Sequence, residues 1–323
     1  MTIETLNNQN NIRSILFYSK VLRERWDFTP KENQYSDLKS LRDEINSFIT
    51  QPKYPSISKI ELISSLNKLN KINIIDIDLF NWFKDDPITT SFVWGYICNN
   101  LELILSIKYG ILTHQNTSTS TYEKLNLNKN PASHEERIKI IISYFDYGFI
   151  DENGGMKESI LKDIQKKWYH ASNDVREFKW LSNDNHESIH WAFDYLLKYN
   201  TSETNKIDND FNLFKEASTL PLKLFKPINI KEKLIAIYSA LQLWDCHHSE
   251  KKMLLSNMNK AWQQKMLRKE RENQKSINCY VNSDVKIKLD ELVTYKNSRI
   301  NKVLSDIITE AHAYMIIEIK NQK

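Results

Sequence analysis

Ser276-Ile277-Asn278-Cys279-Tyr280-Val281-Asn282-Ser283-Asp284-Val285 is the stretch on which the reading of this chain turns. Ile277, Cys279 and Val281 alternate with Ser276, Asn278 and Tyr280, the period of two expected of a half-buried strand. Asn282, Ser283 and Asp284 then offer side-chain oxygens suited to a helix N-cap. Val285, Leu289, Leu292 and Val293 follow at helical spacing and give one apolar stripe. Lys296-Asn297-Ser298-Arg299 reads as a short turn. Beyond it, Ile300, Val303, Leu304, Ile307, Ile308 and Ala311 share one face of a second helix.

One short strand and two helices, about 40 residues in all, bury too little apolar surface to hold together alone. A lone strand also leaves its backbone groups unpaired. Both deficits vanish if two copies intertwine and pair their strands into a two-stranded antiparallel ribbon. Burial alone therefore predicts a homodimer.

This pattern of alternating strand, capped helix, turn and second helix resembles the ribbon-helix-helix family of the Arc and MetJ repressors, over roughly residues 275 to 315. The resemblance implies that the ribbon enters the major groove of double-stranded DNA, where base edges carry a distinguishable donor and acceptor pattern. Ser276, Asn278 and Tyr280 would then face the bases, with Asn278 able to pair bidentately with adenine. Ile277, Cys279, Val281, Val285, Leu289, Leu292, Val303, Leu304, Ile307 and Ile308 would form the dimer core. The family's second helix presents its N-terminus to a phosphate, a place held here by Asn301 and Lys302. Lys275, Arg268, Lys269 and Arg271 would add phosphate attraction that fixes position without reading sequence. Two departures stand out. The outward strand positions carry Ser, Asn and Tyr where many members have Arg, Lys or Gln. The inter-helix turn lacks the frequent Gly, so the resemblance implies that Asn297 adopts the left-handed conformation, which asparagine tolerates better than most residues.

The charge distribution agrees with a DNA-binding end. From Lys251 to Lys323 there are fifteen Lys and Arg against eight Asp and Glu, a net of +7; the first 250 residues, with thirty against thirty-three, stand at −3. Between Lys251 and Lys275 eight basic residues meet only Glu270 and Glu272. A basic tail on a neutral body is what nucleic-acid binding calls for, although a charge run is more often a solvated helix face.

Residues 12 to 250 read as successive amphipathic helices, and only 5 glycines in 323 residues argue against an open sheet or barrel. Pro52 and Pro55 interrupt the pattern, and Ser58 starts a new helix. Thr113 to Pro131 reads as a loop, Ser133 with Glu136 as a capping box, and Asp151 to Gly155 as a turn. Trp168, Trp180, Trp191 and Tyr195 fall in aromatic-rich helices and are expected to pack into the core. The expected fold is thus an all-α N-terminal domain, residues 1–250, of unassigned role. A basic linking helix (251–274) ending near Asn273 leads into the ribbon-helix-helix module (275–323).

Met1 to Asn11 carries no signal-peptide pattern, and the apolar stretch Ile88 to Leu112 is interrupted by Asn99, Asn100, Glu102 and Lys108. Three cysteines at unrelated spacings give no disulfide framework. A cytoplasmic protein without membrane contact is expected. Cys246-His247-His248 is the one dense cluster of metal-type residues, but neighbours on a helix point apart and no second pair lies at zinc spacing. His186 and His190 could share a helix face without a carboxylate to complete a site. Asp85-Asp86, and Asp208 with Asp210, read as capping or loop acids. With no phosphate-binding glycine loop and no hydrolase signature, no enzyme and no cofactor is expected.

The function these readings imply is dimeric DNA binding in transcription control, plasmid or phage maintenance, or chromosome organisation, with a possible protein partner for the helical domain. The competing reading is an interaction scaffold that the C-terminal module only dimerises. A third is an enzyme or toxin-like effector in the helical domain, with the C-terminal module autoregulating its gene.

Overall fold

Short polar side chains decide where many of the helices begin. The computed structural model describes residues 12–31, 38–50, 58–101, 108, 120–207, 219–272, 274–275 and 277–321, the side chains of 100 and 201–207 excepted. Met1 to Asn11, Pro52, Pro55, residues 113–119, Asp208, Asp210, Asn273 and Ser276 lie outside the described residues. The helices are α1 (Ile12–Trp26), α2 (Leu38–Thr50), α3 (Lys59–Asn73), α4 (Asn81–Lys84), α5 (Pro87–Tyr96), α6 (Thr121–Lys124) and α7 (His134–Tyr147). There follow α8 (Met156–Asp174), α9 (His186–Ile207), α10 (Ile230–Leu243), α11 (His248–Glu270), α12 (Ser283–Tyr295) and α13 (Ile300–Asn321). The described chain is all-helical and contains no strand.

Ser58 and Glu61 cap α3 reciprocally: Ser58 Oγ accepts from the Glu61 N–H at 3.2 Å and the Glu61 carboxylate accepts from the Ser58 N–H at 2.9 Å. Asp86 caps α5 by accepting from the Ile88 and Thr89 N–H groups, with Pro87 at the first helical position. Two expectations need correcting. Ser133 does cap α7, but Glu136 turns away to Asn128 Nδ2 (2.6 Å) and the Ala132 N–H (2.7 Å), so the box is only half made. Within the segment read as a loop, Ser120 and Glu123 form a full capping box and start the single-turn α6.

The chain divides into two compact units, Met1–Gln263 and Gln264–Lys323, the boundary falling inside α11. Lys251, Leu254, Met258 and Trp262 form the buried face of α11. The larger unit holds two apolar clusters. One is built from α1, α2 and α3 around Phe17, Val21, Leu22, Ile45 and Leu66. The other gathers α5, α7, α8, α9 and α10 around Phe80, Phe83, Trp94, Phe145, Ile164, Leu196 and Ile237. Gly95 lets α5 and α10 close up, since a Cβ there would meet Leu243 Cδ1 at 2.5 Å. Trp168 and Trp191 lie on helices as expected, whereas Trp180 sits in a turn, stacked on Phe178 and Trp262.

Charged groups join the two clusters. The Arg13 guanidinium grips both oxygens of the fully buried Asp146 carboxylate, at 2.6 and 2.7 Å, and donates to the Ile75 carbonyl at 2.7 Å. Lys157 Nζ, equally buried, donates to the carbonyls of Asn73 (3.2 Å) and Asp146 (3.1 Å) and lies over the Phe149 ring. Asn73 exchanges hydrogen bonds with the backbone of Asp151, whose carboxylate in turn caps the Asn153-Gly154-Gly155 turn. Arg137 and Glu232, also buried, pair α7 with α10.

Burial pushes the Lys157 ammonium down from an ordinary 10.5 to about 7, against the pull of Asp146. A base depressed in the folded state weakens folding fully below its folded pKa, and the penalty fades as pH rises towards its unfolded value. Stability should therefore rise between pH 7 and 9, by up to about 1.4 kcal/mol per pH unit from this group. Urea midpoints at pH 7, 8 and 9 for the wild type and Lys157→Met test it: the variant should lose that rise, and equal slopes in both proteins would refute the assignment.

Candidate nucleic-acid interface

The C-terminal unit begins with a helix end that carries charge. Arg268 and Lys269 lie in the last turn of α11, Arg271 just beyond it and Lys275 after it, outside any helix, all exposed. Residues 277–281 take no regular secondary structure and join no ladder, and all five side chains are exposed, Ile277 by 75% and Tyr280 by 107% of their full surface. The alternating residues thus form no strand in the single chain. The physical reason is that a strand exists only through its ladder, and no other described segment supplies the partner.

Asn282 stands at the N-cap of α12 in extended conformation, but its side chain makes no capping hydrogen bond. Only its carbonyl is used, by the N–H groups of Val285 and Lys286. The turn after α12 follows expectation closely. Asn297 has φ 42°, the left-handed region. Its N–H reaches the Thr294 carbonyl at 3.2 Å while the Ser298 N–H reaches the Val293 carbonyl at 3.2 Å. This pair of bonds is the Schellman ending, which reverses the chain into α13 without glycine. Lys296 and Glu310, 3.9 Å apart, tie the two helices once more.

The expected dimer core is bared in one copy. Val303 is fully buried between the helices, the only such apolar side chain among the described residues of α12 and α13. Leu289 and Ile307 are half-buried, while Val285, Leu292, Leu304 and Ile308 are exposed. Asn301 and Lys302 are exposed in the first turn of α13, where the helix dipole favours an anion, while the Lys302 N–H donates to the Arg299 carbonyl at 3.0 Å. Helix α13 continues to Asn321, well past Ala311, and Tyr314, Met315, Ile316, Ile317 and Ile319 are all exposed. The signal for that extension lay in the absence of Gly and Pro after Ala311 and in the continued run of apolar residues.

The alternative sites fare as follows. Among the described residues, no group of three His, Cys, Asp or Glu side chains is placed to hold a metal. His248 faces Asp174 at 3.3 Å, His247 bonds Ser249, and burial pushes the Cys246 thiol up to about 11. His190 is taken up by Lys233 at 3.0 Å. No helix among the described residues is long and apolar enough to cross a membrane. No family model, curated protein or solved structure matches the chain.

Proposed function

We propose that the chain is a homodimeric DNA-binding protein whose C-terminal unit pairs residues 276–281 of two copies into a ribbon for the major groove. The observation that supports it most is the exposure of Ile277, Val281, Val285, Leu292, Leu304 and Ile308 on a unit that buries, among its described residues, one apolar side chain. Such a surface demands a cover. The segment's free backbone demands a strand partner, and a second copy supplies both at once. Ribbon pairing would send Ile277, Cys279 and Val281 inward and leave Ser276, Asn278 and Tyr280 to meet base edges. Arg268, Lys269, Arg271, Lys275 and Lys302 would meet phosphates, with Asn301 offering its backbone N–H.

The test is fluorescence anisotropy with random-sequence duplex DNA across a salt series, beside sedimentation of the protein alone. A dimer with several phosphate contacts per copy should lose on the order of 10³-fold in affinity between 50 and 200 mM salt. An operator selected from genomic fragments should then bind tighter than random DNA, and Asn278→Ala with Tyr280→Ala should abolish that margin, about 100-fold or more, while the protein still sediments as a dimer. A dimer indifferent to DNA at low salt would overturn the reading and leave a scaffold that its C-terminal unit only dimerises.

A further inference from the structure

The character of α13 changes at Ala311. Up to that point Ile300, Val303, Leu304, Ile307 and Ile308 keep to one stripe, and Ser305, Asp306 and Thr309 occupy the opposite side. Beyond it Tyr314, Met315 and Ile319 prolong the stripe, but Ile316 and Ile317 lie on the far side of the helix, successive residues being about 100° apart. Tyr314 is 70% exposed and Ile317 55%. Large apolar side chains thus stand on opposite sides of the helix, with Glu318 interrupting the stripe, and both sides need cover. Five large side chains near half exposure amount to roughly several hundred Å², as much as the largest patch a monomer ordinarily carries.

We propose that the last turns of α13 gather with the same turns of other copies into a helical bundle, joining two dimers into a tetramer. The inference rests on the dimer reading above. A copy of the chain is the fitting cover because Leu304, Ile308, Ala311, Met315 and Ile319 form one line, continuous with the surface that the dimer buries. One neighbour can cover only one side of a helix. Ile316 and Ile317 require a second, and a pair of pairs is the smallest closed arrangement that supplies it. Tyr314 apart, the titratable side chains after Ala311 are His312, Glu318, Lys320 and Lys323, too few and too mixed to select a charged partner.

Sedimentation velocity of the full-length chain at micromolar concentrations tests this. The wild type should run as a tetramer. Ile316→Glu with Ile317→Glu should run as a dimer with unchanged affinity for duplex DNA, as should a chain ending at Ala313. A wild type that stays dimeric at every concentration, or variants that stay tetrameric, would overturn the bundle. A monomeric wild type would overturn the dimer reading with it. A tetramer that ignores DNA would support the bundle while overturning the proposed DNA function.

Discussion

A chain carrying Leu304→Glu and Ile308→Glu is expected to lose the dimer, and with it measurable DNA binding at physiological salt. Both side chains are exposed in the single copy and lie on the stripe of α13 assigned to the dimer core. Each buried aliphatic side chain contributes about 1.5–3 kcal/mol. With Leu304 40% and Ile308 56% exposed in the single copy, about half of that remains to be gained at each. Two positions in each of two copies therefore amount to about 3–6 kcal/mol, or roughly 10²–10⁴-fold in the dimer constant, before the cost of burying carboxylates is added. Half the phosphate contacts leave with the partner, so DNA affinity falls too. All eight tryptophans, from Trp26 to Trp262, lie before Gln264, so their fluorescence reports the N-terminal unit alone. Its unfolding midpoint should not move. A double variant that remains dimeric by sedimentation would show that this stripe is not the interface.

Arg13→Ala should destabilise the N-terminal unit by about 3 kcal/mol or more. The substitution leaves the Asp146 carboxylate, which no solvent reaches, without its bidentate partner, and removes the donor to the Ile75 carbonyl. Breaking a buried pair costs about 3–5 kcal/mol because the surviving charge stays desolvated. The partial exposure of Arg13 places the expectation at the lower end. Replacing both partners, Arg13→Met with Asp146→Leu, should cost clearly less than the two single losses added together, since no orphaned charge remains. Urea unfolding followed by tryptophan fluorescence measures all of these. A single-variant loss under about 1 kcal/mol would mean that water or Lys157 already neutralises Asp146.

Local chemistry was readable from the sequence wherever a residue's role depends on its near neighbours. Ser58 before α3, Asp86 before α5, the Asn153-Gly154-Gly155 turn and Asn297 after α12 all act within a few positions of themselves. Roles set by distant partners were not readable. Arg13, Asp146 and Lys157 sit in amphipathic helices, where a charged residue ordinarily marks the solvated face, and nothing near them signals that residues 13, 73, 146 and 157 converge. Glu136 shows the same limit on a smaller scale: its spacing from Ser133 fits a capping box, yet Asn128 outbids the Ser133 N–H. The segment 276–281 stands apart from both cases. Its period of two is plain, but strand structure is a property of pairs of segments, and no second segment among the described residues pairs with it.

The grip of Arg13 on Asp146 has a consequence for how the N-terminal unit comes apart. By apolar content alone, α1, α2 and α3 could be a separable layer, with their own cluster of Phe, Leu and Ile side chains. To peel away, however, that layer would have to withdraw the guanidinium from a carboxylate held inside the neighbouring cluster and strip Lys157 of its Asn73 carbonyl. A half-open form would strand charges in oil. Partial unfolding is thus costlier than its lost contacts suggest, and the two apolar clusters are bound to a common fate, melting in one step or not at all.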